Sequence, residues 1–429
     1  MKVLALADSC NPEWPSLPAV GYQYARAIAA HVELTVATQI RNRPNIEKVG
    51  ISGATIVYLD TENIAAPIYS LGTKLRGGNA KGWTLQVAMD YPSYLAFEHS
   101  VYRQFKNELS SGHFDIVHRI TPMSPALPSP MAQWSPTPFV LGPLNGNLTW
   151  PKAFMAEQLR EREWISGLRG AYKYFPYSRA TFARSRAILA AFDHTIADIP
   201  EEAKSRTINF PEVGINPDLF WRPHRTKKEL FTILYAGRIV PLKLVDVVVQ
   251  AFADSEILRN HRLIIVGDDP ERSAIEKLIV QHKLSGCVKV LGNLPQSAVG
   301  ELMRECDIFA FPSIRELGAG VVIEAMACGM ACVVVDYGGP ATLIGDGRGI
   351  KVPLGSKPQI LHGFRSELEY LVRHPESLER LGAAAHDHAM TYFSWNAKAQ
   401  KTVEIYDWVL GRTLRKPNFW AKSHQRGSS

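Results

Sequence analysis

Two doubly wound α/β domains, each built on a parallel sheet, are the architecture this sequence predicts, and three observations predict it. A chain of 429 residues is too long for one hydrophobic core, since cores stop growing at roughly 250–300 residues. Short apolar runs recur in both halves without polar alternation, as strands buried on both faces require. Stretches of helical period separate those runs, which is the pattern of strand–helix–strand units. At 46% apolar and 21% charged the chain can cover such sheets, and a fibrous or mostly disordered protein is excluded.

In the first half, Lys2–Ala7 is an apolar strand followed by a Pro/Ser-rich loop, with a helix beginning near Ala19. Glu33–Ala37 and Thr55–Leu59 follow as strands, then a helix over Tyr94–Leu109 and strands at Asp115–Val117 and Pro138–Leu141. The second half is clearer. Strands are expected at Thr232–Ala236, Leu263–Val266, Val288–Leu291, Ile308–Phe311 and Cys332–Val335. Helices are expected between them at Leu242–Ala253, Glu271–Leu284, Ser297–Glu305 and Val321–Cys328. Phe210-Pro211 and the loop Gly214–Pro223 precede that second set, so the boundary is placed near 210. Pro375, suited to a first helical turn, opens a helical ending that runs to Leu410 with no further strand. The expected organisation is therefore a first domain over 1–209 and a second over 210–392. A C-terminal helix over 393–411 turns back towards the first domain, and a basic, mobile tail covers 412–429.

Several classes fall away. The longest uncharged run, Ile120–Pro151, contains eight prolines and could not hold one helix through a bilayer. Met1–Asp8 has too short an apolar stretch and too early an acid to read as a signal peptide. Five cysteines without a C-x-x-C spacing indicate neither a disulfide frame nor a zinc site, and a cytoplasmic location is expected. The net charge of +7 is concentrated in two places. Arg160–Arg186 and Arg412–Ser429 each carry +5, leaving −3 for the remainder. No nucleic-acid-binding module accompanies these cations, so an anionic membrane surface or a phosphorylated acceptor is the expected partner, not a nucleic acid. Arg160–Arg186 also interleaves Trp164, Tyr172, Tyr174, Phe175, Tyr177 and Phe182 with its charges. That pattern reads either as a basic amphipathic surface at the inner face of a membrane or as a helix with its aromatic face in the core.

Ligands of doubly wound sheets lie beyond the carboxyl ends of the strands, so those ends are where candidate residues are sought. After Thr232–Ala236 comes Gly237-Arg238-Ile239-Val240-Pro241-Leu242-Lys243. Two cations five residues apart across a turn can converge on one anion, although the same pair also suits ordinary solvated surface. After Ile308–Phe311 comes Pro312-Ser313-Ile314-Arg315-Glu316-Leu317-Gly318-Ala319-Gly320, running into a helix whose body is apolar except for Glu324. A carboxylate on such a helix needs a partner or a job. Backbone N–H groups at Gly318, Ala319, Gly320 and Val321 could hold phosphate or sugar oxygens, and Glu316 and Glu324 would accept from hydroxyls.

At this point the sequence resembles a family. Glu316 and Glu324, spaced E-x₇-E between "IFAFPS" and "AMACG", together with "GRIVPLK", resemble the family 4 retaining glycosyltransferases. The resemblance extends over "VGINPDLF", "LIIVGDDPER", "VLGNLPQSAVGEL" and "GGPATLIGDGRGIKVP", which is essentially the whole second domain. It implies the GT-B fold, with two Rossmann-like, doubly wound domains facing a central cleft. It implies a nucleoside-diphosphate-sugar donor on the second domain and a sugar, lipid-linked or small-molecule acceptor on the first. By the same resemblance Gly237, Arg238 and Lys243 would hold the donor diphosphate, and Glu324 the ribose. Glu316 and Gly318–Gly320 would face the donor sugar, and the base would lie near Asn293 and Leu294. Three departures stand out: Leu244 where the family has glycine, Asp269 where it usually reads G-D-G-P, and Met330-Ala331 where proline is common.

In the first half, His118 follows directly on the strand Asp115–Val117 and reads either as a hydrogen-bonding group for sugar or acceptor or as a histidine packed beneath a loop. Ile120 stands where many relatives carry a second histidine. Gly142, Asn145 and Gly146, in the loop after Pro138–Leu141, form a candidate acceptor rim, and Gly21 opens the first helix at a spot that lies close to phosphate in relatives. Asp268-Asp269 invites a metal reading, but no third ligand lies nearby and the resemblance implies a metal-independent transferase without a cofactor. The alternatives are a catalytically silent nucleotide-sugar-binding protein of the same fold and a nucleotide-sugar epimerase.

Overall fold

Two sheets carry the chain, and every strand pairing described within them is parallel. The computed structural model describes residues 1–76, 83–161, 173–224 and 228–421. The first sheet contains β1 (Lys2–Ala7), β2 (Glu33–Gln39), β3 (Ala54–Leu59), β4 (Ile116–Thr121), β5 (Phe139–Leu144), β6 (Ser185–Ala190) and β7 (Thr207–Asn209), in the order β3-β2-β1-β4-β5-β6-β7. The second contains β8 (Thr232–Ala236), β9 (Arg262–Val266), β10 (Val288–Gly292), β11 (Ile308–Phe311), β12 (Ala331–Val335) and β13 (Ile350–Val352), in the order β10-β9-β8-β11-β12-β13. The strand order reverses between β1 and β4 in one sheet and between β8 and β11 in the other. Such switch points open a crevice at the carboxyl ends of the strands.

Two compact units result. One comprises Met1–Asn147, Arg162–Gly214 and Trp395–Ser429; the other comprises Leu148–Glu161 and Ile215–Ser394. The sheet residues are what a two-sided parallel sheet demands: β11 and β12 are buried at every position, as are β4 and β5.

The differences from the sequence reading have physical causes. β4 does not stop at Val117 but runs through His118 and Arg119 to Thr121. A buried arginine is tolerated there because its guanidinium donates to the carbonyls of Leu127 at 2.5 Å and Ser124 at 2.9 Å. β6 begins at Ser185, inside the segment read as a basic amphipathic surface. Phe182 is buried beneath it, and Phe175 stacks on Tyr91 with ring centroids 5.3 Å apart, so these two aromatics serve the core. Tyr177 packs edge-on against Trp134 at 5.5 Å. Trp164 and Tyr172 lie outside the described residues. β7 and β13 have only three residues each, too few to show a period.

The ending also differs. A helix over Lys357–Arg373, not foreseen, precedes those over Pro375–Phe393 and Trp395–Val409. The last of these packs on the Leu17–Ala29 helix, where the hydroxyls of Tyr24 and Thr402 lie 2.5 Å apart. Its Lys398 is fully buried, donates to the Pro211 carbonyl and lies over the rings of Phe210 at 4.1 Å and Phe419 at 5.1 Å. Burial pushes its pKa down to about 7, against the pull of Glu212. The tail was expected to be mobile from 412 onward. Its described part, up to residue 421, is held by Phe419, which is buried against Phe210, and by Lys416, which donates to the Ser205 carbonyl at 2.9 Å. The basic residues Lys422 and Arg426 lie outside the described residues.

Gly21 is one turn inside its helix, not at the opening. A Cβ there would stand 2.2 Å from the Ser9 carbonyl oxygen, so this glycine lets the helix lie directly on the loop after β1. Gly21→Ala should therefore lower the melting temperature by several degrees, matching an overpacking cost of about 1–3 kcal/mol. Gly286→Ala, with nothing within 4 Å of the new methyl, is the control. A Gly21→Ala variant that melts with the wild type would remove the close-approach explanation.

Candidate functional site

In the second unit the loops leaving β8, β9 and β10 are laced together at the carboxyl edge of the sheet. Gly237 N–H donates to the Val266 carbonyl at 3.0 Å, Gly267 N–H to the Gly292 carbonyl at 2.8 Å, and Ile239 N–H to the Asp268 carbonyl at 2.8 Å. A Cβ at Gly267 would stand 1.9 Å from the Gly237 oxygen, so only glycine permits this approach. Both departures from the family pattern in these loops keep a glycine-like backbone. Leu244 has φ +45° and Asp269 φ +116°. Leu244 offsets the strain by burying its side chain, and Asp269 by receiving the Arg238 Nε at 2.8 Å. At both positions the side chain makes a contact that glycine could not make, which offsets the cost of a positive φ.

Arg238 is half exposed at this edge. Lys243 sits in a short 3₁₀ turn, Pro241–Lys243, and the α-helix starts only at Val245. The left-handed Leu244 separates the two, so Lys243 is not in the first turn of that helix as expected. The Lys243 ammonium lies over the Phe311 ring at 4.7 Å from its centroid and in contact with the Glu316 carboxylate. Burial, then the like charge of Arg238, push its pKa down to about 7; Glu161 opposes them. A carboxylate in direct contact, as Glu316 is, also favours the charged ammonium.

The loop carrying Glu316 is fixed from two sides. Ile314 N–H donates to the Leu242 carbonyl at 3.0 Å, and Gly339 N–H donates to the Glu316 carbonyl at 3.0 Å. The chain then turns through Ala319, at φ +50°, into the helix Gly320–Ala327. Gly318 and Ala319 are buried, while Gly320 and Val321 retain part of their surface. Glu324, half-buried on that helix, accepts from the Gln296 side-chain amide at 2.8 Å. Burial among apolar neighbours raises its pKa to about 7, and the Gln296 bond works the other way. Asn293 is exposed and Leu294 half-buried in the loop just before Gln296. The structure thus brings Lys243 and Glu316 into contact and places Arg238, Glu324, Asn293 and Leu294 at the same strand-end edge. Asp268 and Asp269 both face arginines: Arg272 lies 3.3 Å from Asp268, and Arg238 lies 2.8 Å from Asp269.

Sequence reasoning missed Gln296, the hydrogen-bond partner of Glu324, and an entire segment. Residues 148–161 arise between β5 and β6 yet belong to the second unit. Arg315, next to Glu316, donates to the Leu148 carbonyl at 3.2 Å and stacks over Trp150 at 5.2 Å. Tyr337 donates to the Thr149 carbonyl at 2.8 Å, and Arg160 pairs with Glu271 at 2.5 Å. No local signal in 148–161 marks it as part of that site, because its partners lie 110 or more residues onward.

The first-unit candidates separate into two groups. His118 is fully buried inside β4. Its Nε2 lies 2.6 Å from the Gly142 carbonyl and its Nδ1 2.6 Å from the Tyr406 hydroxyl. A carbonyl can only accept, so Nε2 carries the proton and Nδ1 accepts from tyrosine. Burial lowers its pKa to about 4. With both ring nitrogens engaged, His118 ties β4 to β5 and to the C-terminal helix; the packed-histidine reading describes this arrangement. Gly142 belongs to β5, not to a loop after it. Asn145 donates to Glu212 at 2.5 Å, and Gly146 N–H donates to Thr195 at 3.1 Å. At the β1/β4 switch point stands Asp8, which no motif had singled out. It accepts from Gln39 at 2.9 Å and pairs with Arg41 at 3.4 Å.

Residues 219–388 match the family described as Glycosyl transferases group 1. The D-inositol 3-phosphate glycosyltransferase of Streptomyces bingchenggensis is 30% identical over 261 residues, 54% of this chain and 56% of that protein. The chain spans about half the length of the curated relatives it matches. Among solved structures, the HepE protein of Anabaena in complex with UDP superposes with a TM-score of 0.63 at 16% identity, covering 94% of this chain and 99% of that one. The sucrose-phosphate synthase of Thermosynechococcus elongatus gives 0.62 at 15% identity, covering 96% and 100%. These likenesses establish the fold.

Glu324 generates a test that needs no ligand. Its folded pKa lies near 7 and its ordinary value at 4.5, so the unfolded chain releases this proton first. Stability is full below about 4.5 and is lost as pH rises through about 7. Glu324→Gln keeps the acceptor for Gln296 and removes that loss. It should melt several degrees above wild type at mildly alkaline pH, on the order of 2 kcal/mol after allowance for partial exposure, and together with wild type in acid. A difference in melting temperature independent of pH would refute the assignment.

Proposed function

We propose, for a chain whose residues 219–388 belong to the glycosyl transferases group 1 family and whose two parallel sheets form the GT-B fold, that it is a retaining glycosyltransferase. It moves a sugar from a nucleoside-diphosphate-sugar donor to an acceptor hydroxyl, in the cytoplasm, in glycan, polysaccharide or glycoconjugate synthesis. The observation that carries the reading is the Lys243–Glu316 contact beside Arg238 at the β8/β11 switch point. A diphosphate carries the charge that both cations lack once Glu316 and Asp269 turn away. Glu324, an acceptor on an apolar helix, suits the paired hydroxyls of a ribose, and Asn293 and Leu294 suit the base. The acceptor takes the first unit, with Asp8 at the β1/β4 switch point as its polar group; Asn145 and Gly146, bonded to Glu212 and Thr195, shape the wall beside it.

The chemistry follows from charge. As the bond from sugar to diphosphate breaks, negative charge grows on the bridging oxygen, and preorganised cations lower the barrier. Arg238 offers a planar fork and Lys243 a point charge. The departing phosphate takes the proton of the acceptor hydroxyl as the new bond forms on the face the leaving group vacates. Atoms balance: one glycosidic bond forms, one sugar–phosphate bond breaks, and the proton leaves with the nucleoside diphosphate. The carboxylates of Asp268 and Asp269 are engaged by arginines, which favours neutralisation by protein cations over a divalent metal.

The deciding assay is turnover at saturating donor with and without chelator. Lys243→Ala should lose about 10²–10³ in rate while EDTA leaves wild type unchanged. Abolition by EDTA with rescue by magnesium or manganese would overturn the cation assignment. Donor turnover without transfer to any acceptor would favour an epimerase, and donor binding without turnover a silent binding protein.

Contact with an anionic membrane is the second reading. Met155 and Leu159, 66% and 64% exposed, lie one helical turn apart beside Lys152. No helix among the described residues is long and apolar enough to cross a membrane, so the contact would be peripheral. Flotation with phosphatidylserine vesicles should show binding at low salt that fades as salt screens it. No binding at low salt would leave a soluble acceptor as the only reading.

A further inference from the structure

Glu161 ends the segment that crosses from the first unit's sequence into the second unit, and only 6% of its surface is exposed. The short helix before it, Met155–Arg160, packs against the turn Pro241–Lys243. Its neighbour Arg160 is locked to Glu271 at 2.5 Å, and Glu271 N–H in turn donates to the Ile239 carbonyl at 3.2 Å in the Arg238 loop. Glu161 N–H donates to the Glu157 carbonyl at 3.0 Å, which fixes its backbone. The carboxyl therefore ends a segment that packs on the Lys243 turn and is tied to the Arg238 loop through Arg160 and Glu271, and it acts electrostatically on that ammonium.

We propose that Glu161 is a positioning residue for donor binding: it is the second carboxylate of Lys243, and it remains as that lysine's counter-charge when a diphosphate displaces Glu316. This rests on the reading of Lys243 as a diphosphate ligand. Among the described residues, the charged groups facing Lys243 are Glu316 in contact, Arg238 across the turn, and Glu161 on the segment packed beside it. Glu316 leaves the lysine whenever it turns to the donor sugar. Arg238 and burial then both favour loss of the proton, and a neutral amine would bind a diphosphate poorly. Glu161 is carried by the segment 148–161 and not by the loop that bears Glu316, so it can stay beside the lysine when Glu316 turns away. The segment 148–161 thereby becomes part of the donor site although it is encoded between two strands of the other unit.

The test uses the full chain, with Glu161→Gln, Glu161→Asp and Lys243→Ala beside wild type. Acetylation of Lys243 by acetic anhydride is followed against pH by peptide mass spectrometry, with the other lysines as internal references. Binding of UDP, GDP and ADP is measured in parallel by calorimetry. Glu161→Gln should move the midpoint of Lys243 labelling down by about one pH unit, the lower end of the shift an adjacent opposite charge produces. Nucleoside diphosphate binding should weaken by about tenfold above neutrality and match wild type in mild acid. Glu161→Asp should restore most of both. An unmoved labelling midpoint in Glu161→Gln would overturn the proposal even if that variant melts lower, since a purely structural residue changes stability without changing the lysine's titration. Unchanged binding of all three nucleotides by Lys243→Ala would overturn the diphosphate reading instead, and the labelling result would separate the two failures.

Discussion

The half-buried meeting of Lys243 with Glu316 over the face of Phe311 is the interaction on which the second unit's candidate site depends. Taking two charges out of water is expensive, and their attraction repays it only with good geometry and further partners. The fold supplies these. Phe311 closes β11, the loop that follows brings Glu316 round, and Leu242 and Gly339 fix that loop through backbone bonds. A pair held this way is a poor source of stability, because an apolar pair of the same volume would do as well. It is a good reservoir of charge, since either partner can be released to a ligand that compensates the other.

The first unit handles its buried polar groups differently. Glu98 is fully buried, with an elevated pKa caused chiefly by desolvation, and accepts from Tyr94, Ser129 and the Met131 amide. Arg119, nearby in charge, gives its protons to two carbonyls of the 122–130 loop. His118 and Lys398 likewise spend their donors on carbonyls. These groups rigidify the Pro-rich stretch and the chain's return at Pro211. They are fixtures, not reagents, and they explain why charged residues lie within runs that otherwise read as core.

Ten strands, and the charged residues that stand beyond their ends in the second unit, were legible in the sequence because both are local patterns. An apolar run announces a buried strand, and cations or carboxylates set at fixed spacing beyond its end announce a site. Arg238, Lys243, Glu316 and Glu324 follow that logic. The structure adds what spacing cannot contain. Lys243 lies in a 3₁₀ turn because Leu244 takes a left-handed backbone, and nothing in the letter Leu says so. His118 looked like a strand-end residue because a following arginine normally ends an apolar run; the carbonyls that accept from Arg119 lie in a loop whose course sequence does not reveal. Gln296 and 148–161 were illegible for a simpler reason: their importance lies wholly in partners distant along the chain.

The segment 148–161 also bears on how the protein can be divided. The stretch that matches the transferase family begins at residue 219, and a fragment started at Ile215 would contain every strand of the second sheet. It would lack Leu148, Trp150, Arg160 and Glu161, so Arg315 and Glu271 would face water where they now have partners. The unit of folding and the unit of heredity do not coincide here. An exchange of second halves between relatives would join each strand-end loop of the second sheet to a foreign clasp, and the shape of that edge would be inherited from both parents.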